Sequence, residues 1–247
     1  MLIQPKRNKS KGFNNKKTFV SITTITFNRY KFLNILKSHI LNQTYPQHLI
    51  EWVIIDDSTD KIDKEIINDS RLNIKYTKLT EKTFIGRKRN IANSKSKGDI
   101  ILVMDDDDFY PVNRISHAVD ALQNSKKLIA GSTYLPIFYL PEKEFWMAGP
   151  YKGNHATAAT FAYKKELLNI TKFNNESKTA EEKEFLNGYK IPMIQLDPFS
   201  TIVCIAHKSN TYDKGHMRLD PKKHKLKRIN NNKSIIDEIY ECYKKLI

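Results

Sequence analysis

Four consecutive aspartates at the end of an apolar run constrain this chain more than any other stretch of it. Ile100-Ile101-Leu102-Val103-Met104 leads directly into Asp105-Asp106-Asp107-Asp108, then Phe109-Tyr110-Pro111. Five apolar residues of this kind have the length and branching of a strand buried on both faces, as in a parallel sheet. In an extended continuation Asp105 and Asp107 face one way, and Asp106 and Asp108 the other. Two carboxylates about 5 Å apart repel by roughly 3 kcal/mol at an effective dielectric near 20. The carboxyl end of a central strand is where open α/β sheets bind ligands, and acids gathered there need a compensating cation. Hard oxygen donors suit Mg²⁺ or Mn²⁺. The plainer alternative is a solvated acidic turn.

Around this step the first half alternates strand and helix. Residues 18–26 read as a strand, Phe27-Asn28-Arg29 as a turn and 30–41 as a helix. A second strand over 50–55 ends in Asp56-Asp57-Ser58, so two strands finish in paired acids. A short helix over 62–67, a strand over 73–79 and a helix over 86–97 stopped by Gly98 precede the strand 100–104. Pro111 opens a helix to Gln123, since proline suits a first turn. This alternation predicts one α/β domain with a central, mostly parallel sheet flanked by helices.

The second half is less regular. Strands are expected over 128–134 and 137–140 on either side of Pro136, then a loop over 145–154. Residues 157–163 are strand-like, 164–169 a short helix, and 180–187 a helix carrying Glu181, Glu182 and Glu184. Strands over 191–196 and 201–206 complete the sheet, with His207 just beyond. Residues 208–233 read as polar and mobile. Ile235, Ile236, Ile239, Tyr240, Tyr243 and Leu246 then form a helical apolar stripe. That helix either docks on its own domain or lies on a membrane surface.

Composition narrows the class. Apolar content of 40% fits a folded globular protein. No apolar stretch approaches the ~20 residues that span a bilayer, and residues 1–17 read as a basic, disordered tail rather than an apolar leader. Two cysteines, Cys204 and Cys242, favour a reducing, cytoplasmic compartment, with peripheral membrane contact as an option. The net charge of +15 concentrates at both ends, in Lys6 to Lys17 and in Lys214, Arg218, Lys222, Lys223, Lys225, Lys227 and Arg228. Such patches attract nucleic acid, acidic lipid or phosphorylated substrates.

Four segments in order resemble a family-2 glycosyltransferase with the GT-A (Rossmann-like) nucleotide-sugar-binding fold. They are 20–29, which ends in Ile25-Thr26-Phe27-Asn28-Arg29; 52–60, with Asp56-Asp57; Gly86-Arg87-Lys88-Arg89-Asn90; and the Asp-x-Asp step 105–111. The resemblance implies a UDP-sugar donor, a glycan, protein or lipid acceptor, and Mn²⁺ or Mg²⁺ as cofactor. It implies a catalytic domain over 18–212, with a nucleotide-binding lobe (18–125) and an acceptor lobe (126–212), followed by a basic segment and C-terminal helix over 213–247. By the same likeness Phe27 stacks on the base within the Thr26-Phe27-Asn28-Arg29 turn, and Asp57 or Asp56 bonds the uracil edge. Asp107 contacts the metal, with Asp105 or Asp106 on the ribose or a metal-bound water, Asp105 also being a candidate metal ligand. His207 completes the metal shell. Arg89 either approaches the diphosphate or steadies the aspartates electrostatically.

An inverting enzyme needs a carboxylate to take the acceptor's proton. Glu181-Glu182 resembles the family's Glu-Asp pair, with Glu182 as base. His155 and Trp146 fall where acceptor loops are expected. Two rivals stay open: a nucleotidyltransferase on a similar fold, and a basic nucleic-acid-binding module. The first lacks a glycine-rich loop among the eight glycines, and the second leaves the acids at two strand ends unexplained. Phosphate-loop and dinucleotide-binding classes lack their glycine signatures.

Overall fold

The computed structural model describes residues 18–207, 210, 214–230 and 233–246; the basic tail expected over 1–17 lies outside them. β-Branched residues make β1 (Val20–Thr26), and the helical spacing of Phe32, Leu33, Leu36 and Ile40 gives α1 (Tyr30–Leu41) its buried face. β2 (Ile50–Asp56) is buried along its whole length. Then come α2 (Lys64–Ile67), the edge strand β3 (Asn73–Lys78), α3 (Ile85–Lys95) and the fully buried β4 (Ile100–Val103). The next helix, α4 (Arg114–Gln123), starts three residues after Pro111, because Pro111 to Asn113 make a turn before it.

β1 pairs in parallel with both β2 and β4, and β2 with β3. The register aligns Thr26 with Asp56 and Thr23 with Val103. Continuing that register three residues past Val103 brings Asp106 level with Thr26. The acids at the ends of β2 and β4 therefore meet at one edge of the sheet, on either side of β1.

Beyond β4 the structure departs from expectation. The second half adds only β5 (Ile129–Gly131), β8 (Ala162–Lys164) and β9 (Met193–Gln195) to the main sheet, in the order β3-β2-β1-β4-β8-β5-β9. Residues 157–163 split into a 3₁₀ turn, Ala158–Thr160, and the start of β8. A second sheet, β10-β6-β7-β11, is built from β6 (Leu135–Tyr139), β7 (Glu144–Ala148), β10 (Cys204–Ala206) and β11 (Leu226–Ile229). The stretch read as a loop over 145–154 thus begins as a strand. β6 and β11 flank it, and Phe145 and Ala148 are buried. Pro136 sits inside β6, the strand expected over 201–206 belongs to this second sheet, and 208–233 holds both β11 and a 3₁₀ helix, Lys214–Arg218.

The helix expected over 180–187 shrinks to α5 (Glu182–Phe185), because Ala180 and Asn187 on either side adopt left-handed backbone. α6 (Lys233–Tyr243) packs Ile239 and Tyr243 against Phe32, Phe109, Phe138, Phe145, Val203 and Ile205. It therefore docks on its own domain, against the cluster that holds Phe109, the residue after the aspartates. Among the described residues no helix is long and apolar enough to cross a membrane.

Candidate active site

The four aspartates do not continue as a strand; the chain turns, and each carboxylate finds a different partner. Asp105 receives both terminal nitrogens of Arg89, at 3.2 and 3.3 Å. Asp106 accepts from Thr26 Oγ1 at 2.7 Å and from Arg29 Nη1 at 3.1 Å. Asp107 Oδ2 gathers Arg29 Nη1 at 2.8 Å, the Asn210 amide at 3.1 Å and His207 Nε2 at 3.2 Å. Asp108 accepts from the Ile205 N–H at 3.1 Å and so pins the loop to β10. The extended alternation expected from sequence fails for a physical reason. Four like charges in a row are held only when separate cations and donors draw them apart.

Their ionisation follows these partners. Burial and the charge of Asp107 push Asp106 and Asp108 up. Asp107 is equally buried, yet His207, Lys214 and Arg29 hold it well below the usual carboxylate range. A buried carboxylate kept ionised beside an imidazole nitrogen is suited to a hard divalent cation. No three His, Cys, Asp or Glu side chains converge into a ready-made cage among the described residues. A metal bound through one or two protein groups and substrate phosphates needs no such cage. Asp107 and His207 fit that arrangement, with the Asn210 amide nitrogen donating to Asp107, whereas Asp105 is turned to Arg89.

At the neighbouring edge, Asp56 is fully buried and accepts from Ser58 N–H (2.7 Å), Tyr76 hydroxyl (2.6 Å), Tyr30 hydroxyl (3.1 Å) and Lys78 (3.3 Å). Burial opposes its charge, but these donors hold it low. So occupied, Asp56 shapes the turn. Asp57 binds Lys88 Nζ at 2.7 Å and the Thr83 N–H at 2.8 Å, and lines a cleft of about 480 Å³ with Phe27, Ser58, Lys78 and Lys82. Asn28 takes a left-handed φ of 54°, which asparagine tolerates, and its N–H donates to Ser58 Oγ at 2.7 Å. This turn sends Phe27 to the cleft and Arg29 to the aspartates. Lys82 Nζ lies 2.6 Å from the Phe27 ring centroid.

Arg89 joins the two halves of the site. It is buried, and its Nε donates to Glu181 Oε1 at 2.7 Å while its fork grips Asp105. Burial alone would lower the guanidinium, but Asp105 and Glu181 more than offset that. The ion pair with Asp105 is the contact that steadying the aspartates requires. Gly86 lets α3 approach closely enough to place it, for a Cβ there would lie 1.8 Å from the Asn174 carbonyl oxygen. Glu182, next to the bound Glu181, has no ion-pair partner among the described residues, and burial followed by the charge of Glu181 pushes it up.

Sequence reading missed Asn210, Lys214, Lys88, Tyr30 and Tyr76. The three-residue spacing of His207 and Asn210 was the available signal, with the His207 N–H donating to Asn210 Oδ1 at 2.8 Å. The other four act from elements whose approach only the tertiary fold creates.

The model for glycosyl transferase family 2 matches residues 21–179, more than half of the chain. The chain belongs to this family. Its relatives include the Staphylococcus aureus poly(ribitol-phosphate) β-N-acetylglucosaminyltransferase TarS, 29% identical over 92 residues, covering 36% of this chain and 16% of TarS. Another is the glycosyltransferase GlyG of Streptococcus pneumoniae, 26% identical over 191 residues, 66% of this chain and 62% of GlyG. The chain thus spans less than two thirds of either relative. Among solved structures, TarS 1–349 with UDP-GlcNAc superposes with a TM-score of 0.59 at 22% identity, covering 78% of this chain and 60% of that one. The Pyrobaculum calidifontis mannosyltransferase PcManGT with GDP-Man and Mn²⁺ gives 0.62 at 17% identity, covering 84% and 61%. These likenesses show the family's GT-A fold.

Proposed function

We propose that this family-2 chain transfers a sugar from a UDP-sugar to an acceptor hydroxyl in a metal-dependent, inverting reaction. The observation that carries the reading is the convergence of Asp107, His207 and Asn210 with Arg29, whose turn also carries Phe27 to the cleft it lines with Asp57. The UDP-GlcNAc and the GDP-Man with Mn²⁺ held by the structural neighbours support a nucleotide-sugar donor.

The base stacks on Phe27, taking the place of the Lys82 ammonium, and Asp57 meets its polar edge. Asp106, fixed by Thr26 and Arg29, faces the ribose. Asp107 and His207 would hold Mg²⁺ or Mn²⁺, which when bound stabilises the charge that develops on the departing diphosphate. Arg29 supplies a second positive charge at the same oxygens. Glu182 takes the proton from the acceptor hydroxyl as that oxygen bonds to the anomeric carbon. The bond from that carbon to the diphosphate breaks on the opposite side, and its electron pair leaves with the nucleotide. Burial suits Glu182 to this task, because a carboxylate raised toward neutral pH is a stronger base.

A thermal-shift panel tests the reading with UDP, GDP and oligonucleotides, each with and without Mn²⁺. Ligand at 100 times its dissociation constant stabilises by about 2.7 kcal/mol. UDP is expected to raise the midpoint only with metal, and Asp107→Ala to abolish the rise. Stabilisation by oligonucleotides alone would overturn the assignment in favour of a nucleic-acid module.

A further inference from the structure

Next to Glu182 stands an aromatic stack that the donor site does not use. The His155 ring lies 4.6 Å from Tyr189 in a stacked arrangement and 4.6 Å from Tyr151. Tyr189 follows α5 closely: the Gly188 N–H donates to the Lys183 carbonyl at 2.8 Å, so the turn that carries Tyr189 folds back on the helix of Glu182, whose charge, after burial, raises the phenol. Asn187, Gly188 and Tyr189 all have left-handed φ values, of 48°, 65° and 64°. For a residue as bulky as tyrosine that conformation costs about 1–2 kcal/mol. Such strain persists where the surroundings demand it, often at ligand sites. Tyr189 is thus held beside the proposed base at a cost to the fold.

The far end of the stack leads to a basic turn. Tyr151 donates to the His224 carbonyl at 3.3 Å, and Lys225 Nζ donates to the Pro150 carbonyl at 3.0 Å. Residues 221–228 carry Lys222, Lys223, Lys225, Lys227 and Arg228 and no acid. Arg228 is paired with Glu144, but Lys222 and Lys223 are exposed and make no ion pair among the described residues. Lys152, also exposed, lies between Tyr151 and His155 in sequence. Unpaired cations packed together repel one another and attract an anion.

We propose that Tyr189, His155 and Tyr151 form the acceptor platform, and that the lysine turn selects an anionic acceptor: a saccharide or polyol chain bearing phosphate or carboxylate groups. This rests on the glycosyltransferase reading and names its substrate class. The carbon-bound faces of the acceptor lie on the rings, with the attacked hydroxyl toward Glu182. Charged groups further along the same chain reach Lys152, Lys222, Lys223 and Lys225. A short neutral sugar would leave the lysines unused, so the acceptor is a chain of several units.

Direct binding tests this without knowledge of the sugar transferred. Poly(glycerol phosphate), polygalacturonate, neutral dextran and phosphatidylglycerol vesicles are titrated into the full chain, with UDP–Mn²⁺ stabilisation measured in parallel. Binding of either charged polymer but not dextran is expected, and which of the two binds tells phosphate from carboxylate. The combined variant Lys222→Ala, Lys223→Ala, Lys225→Ala should weaken it about tenfold. Tyr189→Gly removes the ring while relaxing the left-handed backbone, so it should weaken polymer binding without loss of stability. That separates a ligand platform from a structural ring.

The proposal is overturned if UDP stabilises the chain but neither polymer binds, or if vesicles bind in preference to both. It is equally overturned if Tyr189→Gly leaves polymer affinity unchanged, for the lysines then act as a bare charge. Absence of UDP stabilisation would instead overturn the glycosyltransferase reading beneath it.

Discussion

Arg89 offers the sharpest test of how the site is assembled. Arg89→Met removes a buried guanidinium that holds Asp105 and Glu181 at once. Breaking a buried pair by deleting one partner costs about 3–5 kcal/mol, because the remaining charge is left without compensation. The side chain of Asp105 is 23% exposed and keeps some water, whereas that of Glu181 is 9% exposed and keeps little. The penalty therefore falls mainly on Glu181, and the lower end, about 3 kcal/mol, is expected. Urea unfolding at pH 7.5 measures it as a shift of midpoint at constant slope.

Glu181→Gln alone also breaks the pair. Since both variants remove one interaction, their combination should cost less than the sum by about 1–3 kcal/mol. Arg89→Lys should not rescue, because an ammonium cannot reach both carboxylates with a fork. Because α5 begins at Glu182, Arg89→Met should lower kcat more than it raises the donor KM. The reasoning fails if Arg89→Met costs under about 1 kcal/mol, or if the two variants add within about 0.5 kcal/mol.

Two further outcomes depend on pH. Glu182→Gln should abolish transfer while leaving UDP binding intact, and persistence of transfer would place the base elsewhere. In the unaltered protein the acid limb of kcat/KM should lie above 4.5, the ordinary glutamate value, since burial raises Glu182 and only its ionised form accepts a proton. A limb at or below that value removes Glu182 from the role. His39 has both ring nitrogens buried without partners, and burial pushes it from 6.5 down to about 4. The unfolded chain then takes up the extra proton between those values, so stability is intact above pH 6.5 and falls as pH drops toward 4. The full loss approaches about 3 kcal/mol. His39→Phe should flatten that part of the urea stability–pH curve; an unchanged slope would refute the assignment.

Local chemistry carried the nucleotide half. β1, α1, β2, β3 and β4 follow from branched runs and helical spacing that each segment shows by itself, and paired acids at two strand ends mark the edge where they meet. The family likeness, too, rests on motifs within these segments. In the second half the strands are three to five residues long and, apart from the β6–β7 hairpin, owe their pairing to partners distant in sequence. β7 read as a loop because nothing in Glu144–Ala148 shows that β6 and β11 will cover it.

The same division runs through the site. Adjacent aspartates show that cations are needed, but not which ones. Arg29 and Arg89 come from either side of β2 to reach Asp107 and Asp105, and His207 and Asn210 lie 100 and 103 residues further along the chain than the Asp107 they meet. Likewise Tyr151, His155 and Tyr189 stack only because a left-handed turn after α5 swings one ring onto the others. Residue types name the chemistry a chain can do; long-range packing, by choosing which charges are desolvated together, decides where it is done.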